Sequence, residues 1–488
     1  MAADLALDGL NARAAPSWFD AAKFGVFIHW GLFAIPAFAG GRGSISEAFV
    51  TDYDRAIAMK PYTEWYANAI KVEGSPSAVF HKETYGAAPY EAFKEPFLEG
   101  LTHFDPDAWA ALFKASGAGY VVLVAKHHDG FCLWPTKVAN PHRPGFCSER
   151  DIVGEVAKAV RAQGLRFGVY YSGGIDWTFN PRPLRTLGDF IASTPGGDYP
   201  DYAEAQVREL IARYEPSILW NDISWPTGQA RLNRLFLDYY ERVGEGVVND
   251  RWTTPSLRSR ALRFGPLRRA LDRRLKAAIL KRGGATGVIP PEVPHSDFRT
   301  PEYARFPDIE AKKWEATRGM SHSFGFNRND ADTDYTPASA LILDFIDGVA
   351  KNGNLLLNVG PMASGEIPAA QTARLLEFGA WLARAGSAVY GSKPWRLAEA
   401  LTGDGLGVRF TQTGEDVNLI LMGAPGGASL TVGGVPLEGP VEVIGLTNGE
   451  RPVRGRAARA GEDSLIILDA PLTEAFAPAL RIKGAAAA

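Results

Sequence analysis

The chain has 488 residues, 46% of them hydrophobic and 22% charged, with a formal net charge of −3. Such a chain is long enough for two domains with a sizeable core, and its charge gives no reason to expect nucleic acid as a partner. Two cysteines cannot make a disulfide framework, no run of about 20 apolar residues offers a membrane span, and residues 1–16 lack the basic opening and apolar core of a signal peptide, so the expected compartment is the cytoplasm.

In chain order, residues 24–31 read as a buried strand ending on His29 and Trp30. Residues 62–70 read as the start of a helix that carries Glu64 and Trp65. A helix over 105–116 has Asp105 as its cap and Pro106 in its first turn. Residues 119–126 form an apolar strand that runs into His127-His128-Asp129. A helix over 151–163 is stopped by Gly164, and the next strand, 165–172, carries Tyr170. A helix over 199–214 leads to the strand 218–220, followed by Asn221-Asp222; a helix over 232–243 leads to a strand over 246–251. Residues 353–361 are a late strand and 371–386 the helix after it.

This alternation predicts parallel strands joined by helical crossovers. Polar residues close strand after strand, which suits the ring of strand ends on the C-terminal face of a (β/α)8 barrel better than one crevice of an open sheet. No glycine-rich phosphate loop follows the first strand. From about residue 391 short alternating segments take over, such as 417–422 and 464–468, with Gly426-Gly427 and Gly433-Gly434 between them. They predict a small all-β sandwich over 391–488 behind a barrel over 1–390, with 484–488 as a frayed tail.

A basic insertion interrupts the barrel at about 253–297. Its segment 258–282 carries ten Lys and Arg against one acid, Asp272. Leu267, Leu271, Leu275 and Ile279 recur every four residues, so it reads as a basic amphipathic helix packed on the barrel, with a subunit contact in a homo-oligomer left open.

The apolar run that stops on Asp222 would deliver a carboxylate to the active face of such a barrel, and Trp220 and Trp225 flank it with ring faces suited to a sugar. As a cap on the next turn, Asp222 would be structural. His127-His128-Asp129 offers either hydrogen bonds to hydroxyls or metal ligands. Neighbouring strand residues point to opposite faces, and no HExxH or CxxC spacing accompanies them, so no metal or cofactor is expected. Glu64 beside Trp65, Arg251 at a strand end, Glu302 in a proline-stiffened loop and Glu315 in the first turns of a helix complete the candidates. A glycosidase needs two carboxylates, one to attack or to activate water and one to protonate the leaving oxygen.

The motifs FGVFIHWG, EWY, KHHDGFCLWPT, ERDIVGEV, LRFGVYYSGGIDW, LWND, VNDRW, KWEATRG, SFGFNRN, NGNLLLNVGP and VYGSKPW, collinear from about Trp18 to Trp395, resemble those of the family 29 α-L-fucosidases. The resemblance implies an irregular, TIM-like (β/α)8 barrel followed by a β-sandwich. It implies retaining exo-hydrolysis of terminal α-L-fucose, without a metal, through a covalent fucosyl-enzyme that a second sugar can intercept. It assigns Asp222 as nucleophile, His29, His127, His128, Glu64 and Trp65 to the sugar hydroxyls, and Tyr170, Trp220 and Arg251 to the pocket around the nucleophile. Phe27 and Phe324 become the apolar wall for the C5 methyl group. Glu302 is the expected acid/base, with Glu315 as its alternative. The expected partner is a small or oligosaccharide substrate bearing terminal α-L-fucose, with neither nucleic acid nor membrane. The competing readings are a catalytically inactive fucose-binding protein and a metal-dependent hydrolase built on His127, His128 and Asp129.

Overall fold

The computed structural model describes residues 2–41, 45–256, 261–282, 287–448, 451–472 and 476–486. Seven strands form one sheet: β1 (Phe24–Ile28), β2 (Tyr120–Lys126), β3 (Arg166–Tyr171), β4 (Ile218–Asn221), β5 (Val247–Val248), β6 (Trp314–Gly319) and β7 (Gly353–Val359). All pairs are parallel, in the order β5-β4-β3-β2-β1-β7-β6. Helices Ile152–Ala162, Tyr199–Tyr214, Gln229–Arg242 and Ala338–Ala350 make the crossovers. Covered on both faces, the strands are apolar runs, and every residue of β1, β2 and β7 is buried.

The two sheet edges, β5 and β6, meet through residues 297–303. Asp297 N–H donates to Val248 O at 2.9 Å on the β5 side. On the β6 side, Arg299 N–H donates to Lys313 O (3.0 Å), Glu315 N–H to Arg299 O (2.8 Å), Thr317 N–H to Pro301 O (2.9 Å) and Tyr303 N–H to Thr317 O (3.0 Å). This is a parallel ladder with one rung missing, because Pro301 has no N–H to give. The eighth place in the barrel is therefore held by an irregular strand, and that strand carries Glu302.

Two expected elements change. The strand expected over 246–251 pairs only at Val247–Val248. Beyond it the Asn249 side chain takes over the pairing, accepting from Asn221 N–H (3.0 Å) and donating to Asn221 O (2.8 Å). Glu315 is not in a helix but is the second residue of β6. Partners on both sides, β7 and residues 297–303, make it a strand whatever its local preference.

The insertion forms the helix Gly265–Arg282; residues 258–260 of the expected basic helix lie outside the described residues. It packs on the helices Ile45–Thr51 and Leu187–Ile191, which follow β1 and β3. Arg268 pairs with Asp189 (2.9 Å) and Lys276 with Asp54 (2.8 Å), while Asp272 accepts from Tyr53 Oη (3.0 Å) and Gly188 N–H (2.8 Å). Leu271, Leu275 and Ile279 are partly buried, but Leu267 is exposed. A four-residue spacing drifts about 40° per step on a helix, so the expected stripe winds out of contact at its first member.

The second sheet contains β8 (Lys393–Leu401), β9 (Gly407–Thr413), β10 (Asp416–Leu421), β11 (Ser429–Val432), β12 (Gly439–Asn448), β13 (Arg451–Ala460), β14 (Asp463–Leu468) and β15 (Ala479–Ile482). It is antiparallel in the order β11-β14-β13-β12-β15-β10-β9-β8, and its two ends approach each other at a Thr402–Val432 bridge. The folded-over sheet encloses its own core, including Trp395, Phe410, Leu419 and Ile466. It docks on the barrel helices: Trp381 Nε1 donates to Ala477 O (3.1 Å), and Arg409 pairs with Asp347 (2.6 Å). The expected frayed tail is anchored as far as it is described. Ala485 is buried, and Ala486 N–H donates to Glu415 O (2.9 Å). No helix among the described residues is long and apolar enough to cross a membrane.

Candidate active site

The C-terminal ends of the barrel strands converge on one cavity of about 310 Å³. β1 supplies Phe27 and, just past its end, His29; residues just past β2 supply His127 and His128; β3 supplies Tyr170; β4 supplies Trp220 and then Asp222. Phe27 and His29, like Trp220 and Asp222, are two residues apart, so the strand pleat turns both members of each pair to the same side. Arg251 follows β5, Glu302 ends the irregular eighth strand, and Glu64, Trp65 and Phe324 come from loops. Every residue that the family resemblance assigns to the site lines this cavity except Glu315, while Trp225, expected to offer a ring face beside Asp222, is fully buried outside it.

Asp222 is held on both oxygens. Oδ1 accepts from Arg251 Nη1 (3.0 Å) and Ile223 N–H (2.8 Å), and Oδ2 accepts from Tyr170 Oη (2.8 Å). The other arm of Arg251, Nη2, donates to Glu302 Oε2 at 3.0 Å. One guanidinium thus spans the two carboxylates. The guanidinium lies 4.9 Å from the Trp220 ring centroid, and Arg251 Nε donates to Thr300 Oγ1 (3.1 Å). The two acids hold Arg251 further above its already high ordinary pKa despite burial. Tyr62 Oη reaches Glu302 Oε1 at 3.4 Å.

The backbone after each acid is unusual. Ile223 has φ 69° and Tyr303 φ 47°, a left-handed conformation that a β-branched or aromatic residue adopts only at a cost. At Ile223 the turn brings its N–H onto Asp222 Oδ1. At Tyr303 the turn is pinned by the phenol, which accepts from Gly319 N–H (3.0 Å) and donates to Ser321 O (3.1 Å).

The three histidines are neutral hydrogen-bonding groups. His29 Nδ1 sits 2.6 Å from Asn358 Oδ1, an acceptor, so Nδ1 carries the proton and Nε2 is left as an acceptor. His128 Nδ1 sits 2.6 Å from Ser172 Oγ, whose own proton goes to Ile175 O (2.6 Å), so the same tautomer follows. His127 is buried, stacks on Tyr170 with centroids 5.5 Å apart, and its Nδ1 has no hydrogen-bond partner among the described residues. Burial lowers His29 to about 4 and takes His127 and His128 well below the ordinary imidazole range. Asp129 does not join them: its oxygens accept from Tyr90 Oη (2.8 Å) and Phe131 N–H (3.1 Å), and it does not line the cavity. The three residues of the competing metal-hydrolase reading therefore do not converge.

Glu64 is buried and accepts from Gly325 N–H (3.0 Å), and burial pushes it up to about 7. Glu315 lies outside the cavity. Its carboxyl accepts from Tyr120 Oη (2.5 Å) and Trp220 Nε1 (3.3 Å), and burial raises it to about 7. It props Trp220 from behind.

Lys60 was not expected. Its Nζ lies 3.9 Å from the Trp65 ring centroid inside the cavity, and burial brings it down to about 8 against the pull of Glu302, Glu64 and Asp222. Its only sequence signal is its place four residues before Glu64.

A family model described as Alpha-L-fucosidase matches residues 4–387. The tissue alpha-L-fucosidase of Bos taurus is 33% identical over 396 residues, covering 80% of this chain and 71% of that protein. The alpha-L-fucosidase of Dictyostelium discoideum is 32% identical over 401 residues, covering 80% and 74%. Among solved structures, the Thermotoga maritima alpha-fucosidase in complex with fucose matches with a TM-score of 0.79 at 37% identity, covering 97% of this chain and 98% of that one. A Thermotoga maritima alpha-L-fucosynthase matches with a TM-score of 0.81, also at 37% identity, over 98% of each chain. A barrel whose strand ends set two carboxylates on one arginine, matched along this length, places the chain in the α-L-fucosidase family of glycoside hydrolases.

Proposed function

We propose that this chain is a retaining exo-α-L-fucosidase in which Asp222 is the nucleophile and Glu302 the acid/base. The observation that carries the reading is the Arg251 guanidinium shared by both acids, which sets them together in a pocket of a size for a terminal sugar. Asp222 attacks the anomeric carbon of fucose while Glu302 gives its proton to the glycosidic oxygen, so the C1–O bond breaks as the C1–Oδ bond forms. Glu302, now ionised, takes a proton from water, and that water displaces Asp222. A sugar hydroxyl in place of water gives transfucosylation.

His29, His127, His128, Glu64 and Trp65 hold the hydroxyls, with Nε2 of His29 and His128 as acceptors. Phe27 and Phe324 receive the C5 methyl, where a galactose hydroxyl would lose its partner. Tyr170 and Trp220 back the nucleophile. The cytoplasm remains the expected compartment, in keeping with two free cysteines. The test is the anomer released first, followed by proton NMR during hydrolysis of an aryl α-L-fucoside. Retention gives α-L-fucose before mutarotation; β-L-fucose appearing first would refute the double displacement.

A further inference from the structure

The strand ends account for only part of the cavity. Beside Lys60, Tyr62, Glu64 and Trp65, much of the rest of its wall comes from segments laid over the strand ends: Phe49 of the helix Ile45–Thr51, Ile57, Leu187 and Phe190 of the helix Leu187–Ile191, Ile279 of the insertion helix, and Val288 just after it. All six are apolar. The cation that lines the cavity on this side is Lys60, whose Nζ is already laid on Trp65 and lies 5.6 Å from the Phe190 ring centroid. The strand-end half is the opposite, with imidazoles, carboxyls and a guanidinium in close array.

A leaving group must occupy the wall beyond Glu302, because Glu302 protonates the oxygen that joins it to fucose. A sugar there carries hydroxyls around its rim. Each one taken from water without a partner is penalised. An alkyl or aryl group carries none, and gains with every methylene covered. We propose that the outer half of the cavity is a leaving-group site for apolar aglycones, with the insertion helix as one wall through Ile279. This inference rests on the reading of Glu302 as acid/base. The insertion thereby acquires a role in specificity: its ion pairs to Asp189 and Asp54 fasten Ile279 over the pocket.

Linear alkyl α-L-fucosides test this on the wild-type enzyme, since methanol and longer primary alcohols leave with similar ease. From methyl to octyl fucoside, kcat/KM is expected to rise at least tenfold, at up to about fourfold per methylene that is covered. Octyl fucoside is also expected to surpass a fucosylated lactose of equal concentration. α-L-Fucosyl fluoride, which has no aglycone, is the control. Ile279→Ser should lower the octyl-to-fluoride ratio of kcat/KM about tenfold, with the far-UV spectrum and melting temperature checked alongside. If fluoride is turned over but methyl and octyl fucosides differ by less than twofold, or the lactose derivative is preferred, the apolar site is wrong while the fucosidase reading stands. If no fluoride is released at all, the fucosidase reading itself fails.

Discussion

The strand-end half of the cavity and its outer wall are built on different principles. At the strand ends the charged groups are tightly held: Asp222 has three donors, Arg251 two acids, and His29 and His128 each a fixed proton position. The outer wall is apolar, comes from inserted and looped segments, and is fastened from outside by ion pairs such as Arg268–Asp189. Preorganised charge suits a reaction whose transition state is the same for every substrate. An apolar wall carried on inserted and looped segments suits the part of the substrate that varies. Chemistry and leaving-group choice should therefore be separable by mutation.

The largest effect is expected at Asp222. Asp222→Ala should lower kcat/KM on an aryl fucoside by about 10⁴-fold or more, as loss of a nucleophile does elsewhere. A loss below a hundredfold would move the chemistry away from β4. Next comes Arg251→Met, which leaves two facing carboxylates without their shared cation. About 10²–10³-fold in kcat is expected, and Arg251→Lys should recover little of it, because a single ammonium cannot serve both acids in the fork geometry. Full recovery by lysine would mean that charge alone matters.

Glu315 lies behind Trp220 in the same region, a buried polar group outside the cavity lining. Its pKa of about 7 lies above the ordinary 4.5 because burial disfavours the charge. A raised folded-state pKa gives stability that is present below about 4.5 and lost as pH rises through about 7. The melting temperature of Glu315→Gln should therefore gain on wild type between pH 5 and pH 8, by an amount equivalent to ~3 kcal/mol at most. Parallel pH curves would show that Glu315 does not ionise in this range. The smallest effect is expected at Ile223. Glycine there relieves the left-handed strain and keeps the N–H on Asp222, so kcat should change by less than about threefold. A larger loss would make the side chain, not the turn, the positioning element.

Much of this architecture was legible in the chain. Strands β1 to β4 and β7 are apolar runs buried on both faces, and the acid that ends β4 stood out because the run stops on it. The eighth strand was not legible, since Pro301 breaks its ladder and its pairing is set by distant partners. For the same reason Glu315 looked helical and Glu302 was placed by resemblance, not by pattern. The left-handed turns after both acids leave no mark in residue type, because isoleucine and tyrosine are not turn residues. Lys60 and Ile279 were missed as site residues because they reach the cavity only through the packing of separate helices, which local periodicity does not encode.

The central claim, that Asp222 and Glu302 divide the chemistry between them, is tested most directly by azide rescue. Asp222→Gly, Glu302→Gly and Glu315→Gly would each be incubated with an aryl α-L-fucoside and sodium azide, and the fucosyl azide characterised by NMR. The account predicts a β-fucosyl azide from Asp222→Gly, where azide replaces the nucleophile. From Glu302→Gly it predicts an α-fucosyl azide, where azide intercepts the fucosyl-enzyme. An α-azide from Glu315→Gly with none from Glu302→Gly, or no azide from Asp222→Gly under any condition that restores turnover, would contradict it.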